Sequence, residues 1–163
     1  MSRQVSELEE ILIELIVEHE RLIKQLNAQQ IAMSKMDLQS MEKEAKAQEA
    51  SRRRIISLDA RRKNLVQQIS HAAAFRGEMK FADIVTAHPQ RAAVLTRHRE
   101  TLKTRIEQVS TRSRIVGKLA AAVVGHLNTM IRLVAGAVEK AGLYTKDGVP
   151  RVSSRVGVME TLG

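Results

Sequence analysis

The 163-residue chain contains no cysteine and no tryptophan, only two prolines, and three aromatic residues in all: Phe75, Phe81 and Tyr144. Without cysteine there is no disulfide framework and no thiolate metal site, which suits a reducing cytoplasm. Without aromatic bulk, a core has to be assembled from Leu, Ile, Val, Met and Ala, a set that favours helices packed side by side over a sheet sandwich. The opening residues, MSRQVSELEE, lack the unbroken apolar run of a secretion signal. Catalytic patterns are missing as well. There is no HExxH, no glycine-rich phosphate loop, no Cys/His pair and no Glu-x-x-His pair of the di-iron type, and His71, His88, His98 and His126 are scattered. We therefore expect no catalytic residues, no metal and no other cofactor.

What the chain has in excess is positive charge, unevenly placed. The net charge is +9; residues 1–50 carry 10 acidic and 6 basic side chains, whereas residues 51–163 carry 8 acidic and 21 basic. Such asymmetry invites an anionic partner. RRR at 52–54, RRK at 61–63 and the Arg/Lys series from Arg91 to Lys118 could contact phosphates. No recognition motif or aromatic stacking platform accompanies them, so specific nucleic-acid binding is not expected and a solvated helical face is the plainer reading.

Apolar periodicity divides the chain into helices. Val5, Leu8, Leu12, Leu15, Leu22 and Leu26 keep 3–4 spacing and continue weakly to Met33, with Ile11, Ile16 and Ile23 widening the stripe. Ser2 or Ser6 is the expected cap, with Glu7, Glu9 and Glu10 near the positive end of the helix. His19 falls on the seam and is expected to be a packed or edge-exposed histidine rather than a ligand, since no partner at metal spacing accompanies it. A turn is expected near Met36, then Asp37 as the cap of a second helix reaching Ala74, whose apolar content (Ile55, Leu58, Leu65, Ile69) lies mostly in its second half. Gly77 is the expected helix stop, FADIVTAH at 81–88 a short helix, and the two phenylalanines the pins that hold this connector to the bundle. From Pro89 a third helix can run to Ala141, about 80 Å at 1.5 Å per residue. Gly117, Gly125 and Gly136 are the places where it should bend.

The fold class that follows is all-α: an elongated antiparallel three-helix bundle or coiled coil with a short connecting helix, over 1–149, and a mobile C-terminal tail over 150–163. From Leu119 onward the apolar stripe broadens, because Val124, Ile131, Ala135 and Val138 join the seam positions Val123, Leu127, Met130 and Val134. A stripe this wide exceeds what one neighbouring helix covers. A membrane span would need the same length, but His126, Asn128 and Arg132 lie inside the segment. A mid-bilayer arginine alone costs about 2.5–3.5 kcal/mol on insertion scales, so a span is not expected.

Asn128 followed by Met130 and Ile131, the YTKDG that sets Tyr144 and Gly148 four apart, FADIVTAHP ahead of the long third helix and the glutamate-rich amphipathic first helix together resemble the FlgN family of flagellar export chaperones. Order and spacing carry the resemblance, over the chain up to about Pro150. It implies an all-helical cytoplasmic chaperone that holds hook-associated proteins of the FlgK and FlgL kind before type III secretion. It also implies a client site on the carboxyl-terminal part of the third helix, filled by an amphipathic helix from the client's own end. The residues expected there are Leu119, Val123, Val124, Leu127, Asn128, Met130, Ile131, Val134 and Val138. Asn128 is either a solvent-facing polar residue or a register pin in the apolar seam. Tyr144 either packs on the last turn or serves as an aromatic anchor for the export apparatus. The strongly basic composition after residue 50 departs from the acidic character common in such chaperones. The rival readings are a structural coiled-coil adaptor that self-associates through the 119–138 stripe and a non-specific basic nucleic-acid-binding protein.

Overall fold

The computed structural model describes residues 2–77 and 79–142. Every regular element among them is helical: α1 (Ser2–Ser34), α2 (Leu38–Ala72), the short α3 (Phe81–Ala87), a 3-10 turn over Pro89–Arg91, and α4 (Ala92–Gly142). The expected all-α bundle, with three long helices and a short connector, is the observed one. The chain divides into two compact units, Met1–Ala120 and Ala121–Gly163. The tail expected over 150–163 and Tyr144 lie outside the described residues.

In the first unit the α1 seam is the spine of the core. Val5, Leu8, Leu12, Leu15, Leu22, Leu26 and Met33 are all buried, and Ile11 joins them. His19 is buried in the same row, its Nδ1 2.7 Å from the carbonyl oxygen of Leu15. The start of α1 differs from the expectation. The helix already runs from Ser2, so Ser6 lies inside it rather than at its cap, and its first turn holds no acidic residue. Of the glutamates expected to face the helix dipole, Glu9 serves instead as the ion-pair partner of Arg91.

On α2 the side chains facing α1 change character along the helix. Leu58, Leu65, Val66 and Ile69 are buried in the second half, whereas Gln48 and Ser51 fill the corresponding places in the first. Gln48 donates from Nε2 to Gln29 Oε1 at 3.4 Å. Asp37 caps this helix, accepting from the Ser40 amide at 3.1 Å and the Ser40 hydroxyl at 2.6 Å. Those bonds stabilise the ionised carboxyl and hold its pKa below the usual value.

Both long-helix ends close by the same device. At the end of α1 the amides of Met36 and Asp37 return to the carbonyls of Met33 and Ala32; at the end of α2 those of Ala74 and Phe75 return to His71 and Ser70. These are Schellman closures, and the residue at their centre must be left-handed. Met36 has φ 55° and Ala74 has φ 52°. The stop of α2 is thus Ala74, not Gly77, which sits three residues later in the connector with φ 97°. A Cβ in this conformation costs roughly 1–2 kcal/mol, partly offset by the larger unfolded-state entropy of glycine. Ala74→Gly should therefore raise the free energy of unfolding by about 0.5–1 kcal/mol. Urea denaturation checks this, and a loss of stability would show that Ala74 is not held left-handed in solution.

The connector is held by residues other than the expected pair. Phe81 packs partly buried against the core, but Phe75 is exposed. The fully buried anchors are Ile84 and, nearly so, Met79. Ser70 locks the segment by donating its hydroxyl to the Val66 carbonyl and accepting the Met79 amide at 2.9 Å. A single polar side chain thereby satisfies a buried connector amide.

Ion pairs fix the directions of the helices around α1. Glu14 and Glu18 meet Arg61 and Arg54 of α2, so residue numbers rise on one helix as they fall on the other. Glu9 and Glu20 meet Arg91 and Arg105, rising together, so α4 starts out parallel to α1. The acidic first helix thus sits between two basic ones, and part of the charge asymmetry between the halves of the chain is neutralised within the unit. Each exposed pair contributes only about 0–1 kcal/mol, so the pattern specifies direction more than it adds stability. Of α4 in this unit, Leu95 is fully buried, while Leu102 is half-covered and Ile106 exposed. Over α1, between α2 and α4, a trough of about 710 Å³ stays open.

Candidate functional site

The candidate surface lies in the second unit, on the residues of α4 after Ala120. Glycines 117, 125 and 136 do not break this helix, and a Cβ built at each would meet nothing within 4 Å. The roughly 1 kcal/mol penalty per glycine is absorbed by the length of the helix.

At 100° per residue, the large side chains of this stretch gather on one side. Val123, Val124, Leu127, Met130, Ile131, Val134 and Val138 fall within about half the circumference. Leu133 adjoins them at the edge beyond Met130, and it was not among the residues expected from the sequence. Reading the seam as a 3–4 series skips it, whereas plotting the full wheel recovers it. The opposite side carries Gly125, Thr129, Arg132 and Gly136, which are small or polar. Asn128 stands about 100° from the centre of those seven apolar residues, at the border of the arc between Val124 and Arg132.

None of the described side chains in this unit is buried. Leu133, Val138 and Ile131 are 69%, 66% and 65% exposed, and Val124, Met130 and Val134 are exposed with them. Val123 and Leu127, central to the arc, are half-covered. Leu119, the first of the expected site residues, belongs to the first unit and is half-covered there. Tyr144, expected to dock the export apparatus, lies outside the described residues. Exposed singly, such side chains would be unremarkable; gathered on one face they form a patch that water does not solvate well.

By length and composition alone this helix could cross a membrane, with a window of mean hydropathy 1.4 and none of it buried. Its two-sided character argues for cover on one face instead. A bilayer would bring Asn128 and Arg132 into hydrocarbon together with the apolar arc, whereas a partner helix leaves them in water. Chemistry of other kinds finds little purchase. Among the described residues no group of three or more His, Cys, Asp or Glu side chains could hold a metal ion. The arginine-rich runs of α2 are partly engaged within the protein: Arg53 pairs with Glu49, Arg54 with Glu18, Arg61 with Glu14, and Arg62 and Lys63 with Asp59.

What remains, among the described residues, is a helix that offers one broad apolar face to solvent. Comparison with curated proteins and with solved structures gives no match. The family model for FlgN (FlgN protein), in contrast, matches residues 1–151, across both units and all the described helices. The chain belongs to the FlgN family, a family of flagellar export chaperones and not of enzymes.

Proposed function

We propose that this protein works in the cytoplasm and holds hook-associated proteins of the FlgK and FlgL kind, by receiving an amphipathic helix from the client's end along the apolar arc of α4. The observation that carries the reading is the exposure of Ile131, Val134 and Val138 on one face of a helix whose other face is polar or small. A client helix with apolar residues at i, i+3, i+4 and i+7 would lay them between Val123, Leu127, Met130 and Ile131. Val and Ala let the backbones approach, and Met130 adapts to an imperfect fit. A total buried area of about 1,200–2,000 Å² would place the complex among specific ones. Binding would also hide from self-association both the client segment and this patch. Asn128 and Arg132 stay on the wet side, where they oppose burial of the helix in the wrong rotation.

The test is a titration of the full-length protein with a labelled peptide from the carboxyl-terminal helix of the cognate hook-associated protein. Leu127→Asp and Ile131→Asp should each weaken binding at least tenfold, about 1.4 kcal/mol, with helicity unchanged because neither side chain is buried. Unaltered affinity in both variants would remove the site from α4. Concentration-dependent self-association through the same face, without affinity for the peptide, would favour a structural adaptor.

A further inference from the structure

The trough in the first unit has no role in the reading above, and its walls are regular. Leu8, Leu12 and Leu15 of α1 form its floor and are buried. Ile55, Asp59, Arg62 and Val66 line one wall from α2, at steps of four, three and four residues. Arg99, Leu102 and Ile106 line the other from α4, at steps of three and four. Each of the three helices therefore turns a 3–4 stripe toward a common void, which is how helices in a bundle face a neighbour. The side chains rise from buried at the floor to half-covered at Ile55 and Leu102, and Ile106 at the lip is 47% exposed. From Leu8 to His19 the floor extends about 16 Å at 1.5 Å per residue, the length of three helical turns.

The rim is cationic. Arg62, Lys80 and Arg99 stand around the opening with Asp59; Arg62 pairs with Asp59 at 2.8 Å and Arg99 with Glu100 at 3.0 Å. Burial opposes ionisation of Asp59, but hydrogen bonds from Lys63 and Arg62 outweigh it and hold the carboxyl below its ordinary range. Its negative charge is thus already engaged inside the protein. Arg99 lies over the Phe81 ring, 5.4 Å from its centre, so its position at the lip is fixed by an aromatic contact. Among the described residues the Lys80 ammonium enters no ion pair, although its backbone amide donates to Asp83 Oδ2 at 2.8 Å.

We propose that this trough is a second docking site, distinct from the arc on α4, for an amphipathic helix of a protein partner. That helix carries an apolar 3–4 stripe flanked by acidic residues. The periodic walls select a helix over an alkyl chain, which needs no such spacing. The cationic excess of the rim, with the Lys80 ammonium in no ion pair, selects acidic flanks, because opposite charge there raises the association rate and penalises basic partners. The site is independent of client binding and stands or falls separately.

The experiment uses the full-length protein and a fluorescein-labelled 18-residue peptide with leucines at 3–4 spacing, glutamates beside them and alanine elsewhere. A twin peptide carries lysine in place of each glutamate. The acidic peptide should bind saturably in the micromolar range and the basic twin at least tenfold more weakly. Ile106→Asp should reduce affinity for the acidic peptide at least tenfold and Lys80→Glu about threefold. Ile131→Asp, on the α4 arc, should leave it within twofold. Ile106 is exposed enough for its variant to fold, which circular dichroism and the urea midpoint verify. No saturable binding, equal affinity for the two peptides, or a loss confined to Ile131→Asp would overturn the proposal. So would saturable binding of dodecanoate, abolished by Ile106→Asp, in a protein that ignores the acidic peptide.

Discussion

Leu95→Ala is expected to lower the free energy of unfolding by about 2–5 kcal/mol, the range for a leucine truncated in a closed core. The reason is the uneven way α4 is held in the first unit. Leu95 is completely buried in the cluster shared with α1, α2 and α3. The next seam residues toward the carboxyl end, Leu102 and Ile106, are half-covered and exposed, because the trough lies beside them. Polar ties to α1 among the described residues are Glu9 with Arg91 at 2.6 Å and with His98 at 4.0 Å, and Glu20 with Arg105 at 3.0 Å. Pairs of that exposure contribute about 0–1 kcal/mol each and cannot replace a lost leucine. Urea denaturation followed by circular dichroism gives the difference directly. Far-ultraviolet helicity without denaturant should stay near that of the parent protein. A loss below about 1 kcal/mol would mean that the cavity collapses at little cost and that α4 is anchored elsewhere.

The contrast between Leu95 and Ile106 also shows why some of this protein could be read from its sequence and some could not. Where one face of a helix meets a core, period and burial coincide. The α1 series from Val5 to Leu26 is buried throughout, and Leu58, Leu65 and Ile69 follow on α2. Asp37 was recognisable as a cap because its short carboxylate and the Ser40 that follows form a local motif. Features set by tertiary context were not legible. Ala74 takes the left-handed position that sequence rules assign to a glycine, and Gly77 was available nearby. The connector is pinned by Met79 and Ile84 rather than by Phe75, because burial there depends on Ser70 and the α1 seam, and not on side-chain size. On α4 a seam could be traced from Leu95 to Val138, but periodicity is indifferent to whether anything covers it. The breadth of the stripe pointed to a second occupant, and a full helical wheel would have added Leu133, but how far each side chain stands exposed required coordinates. The partners of the basic runs were hidden for a related reason: the glutamates that pair with Arg54 and Arg61 lie some forty residues away on α1.

Removing the two arginines that meet Glu18 should cost about 2–3 kcal/mol, although each is half exposed. Glu18 is among the few buried acids of the described residues, with its side chain 9% exposed at the α1–α2 contact. Its Oε1 accepts from Arg21 and forms an ion pair with Arg54 Nε at 3.0 Å, while Oε2 is buried with no hydrogen-bond partner among the described residues. The carboxylate is therefore held by one oxygen, and its charge depends on two guanidinium groups that reach in from the surface. Arg54 also donates to the fully buried Ser51 hydroxyl at 3.1 Å, so its loss leaves two polar groups in want of partners. In Arg21→Ala/Arg54→Ala, a buried negative charge remains with nothing opposite it, the arrangement that penalises folding most. Adding Glu18→Leu to that background should restore stability to within about 1 kcal/mol of the parent, because an apolar side chain at this contact needs no partner. Urea unfolding of the parent, the double and the triple variant at pH 7 separates the two contributions. If the triple variant is no more stable than the double, the cost lay in lost arginine packing rather than in an unpaired charge.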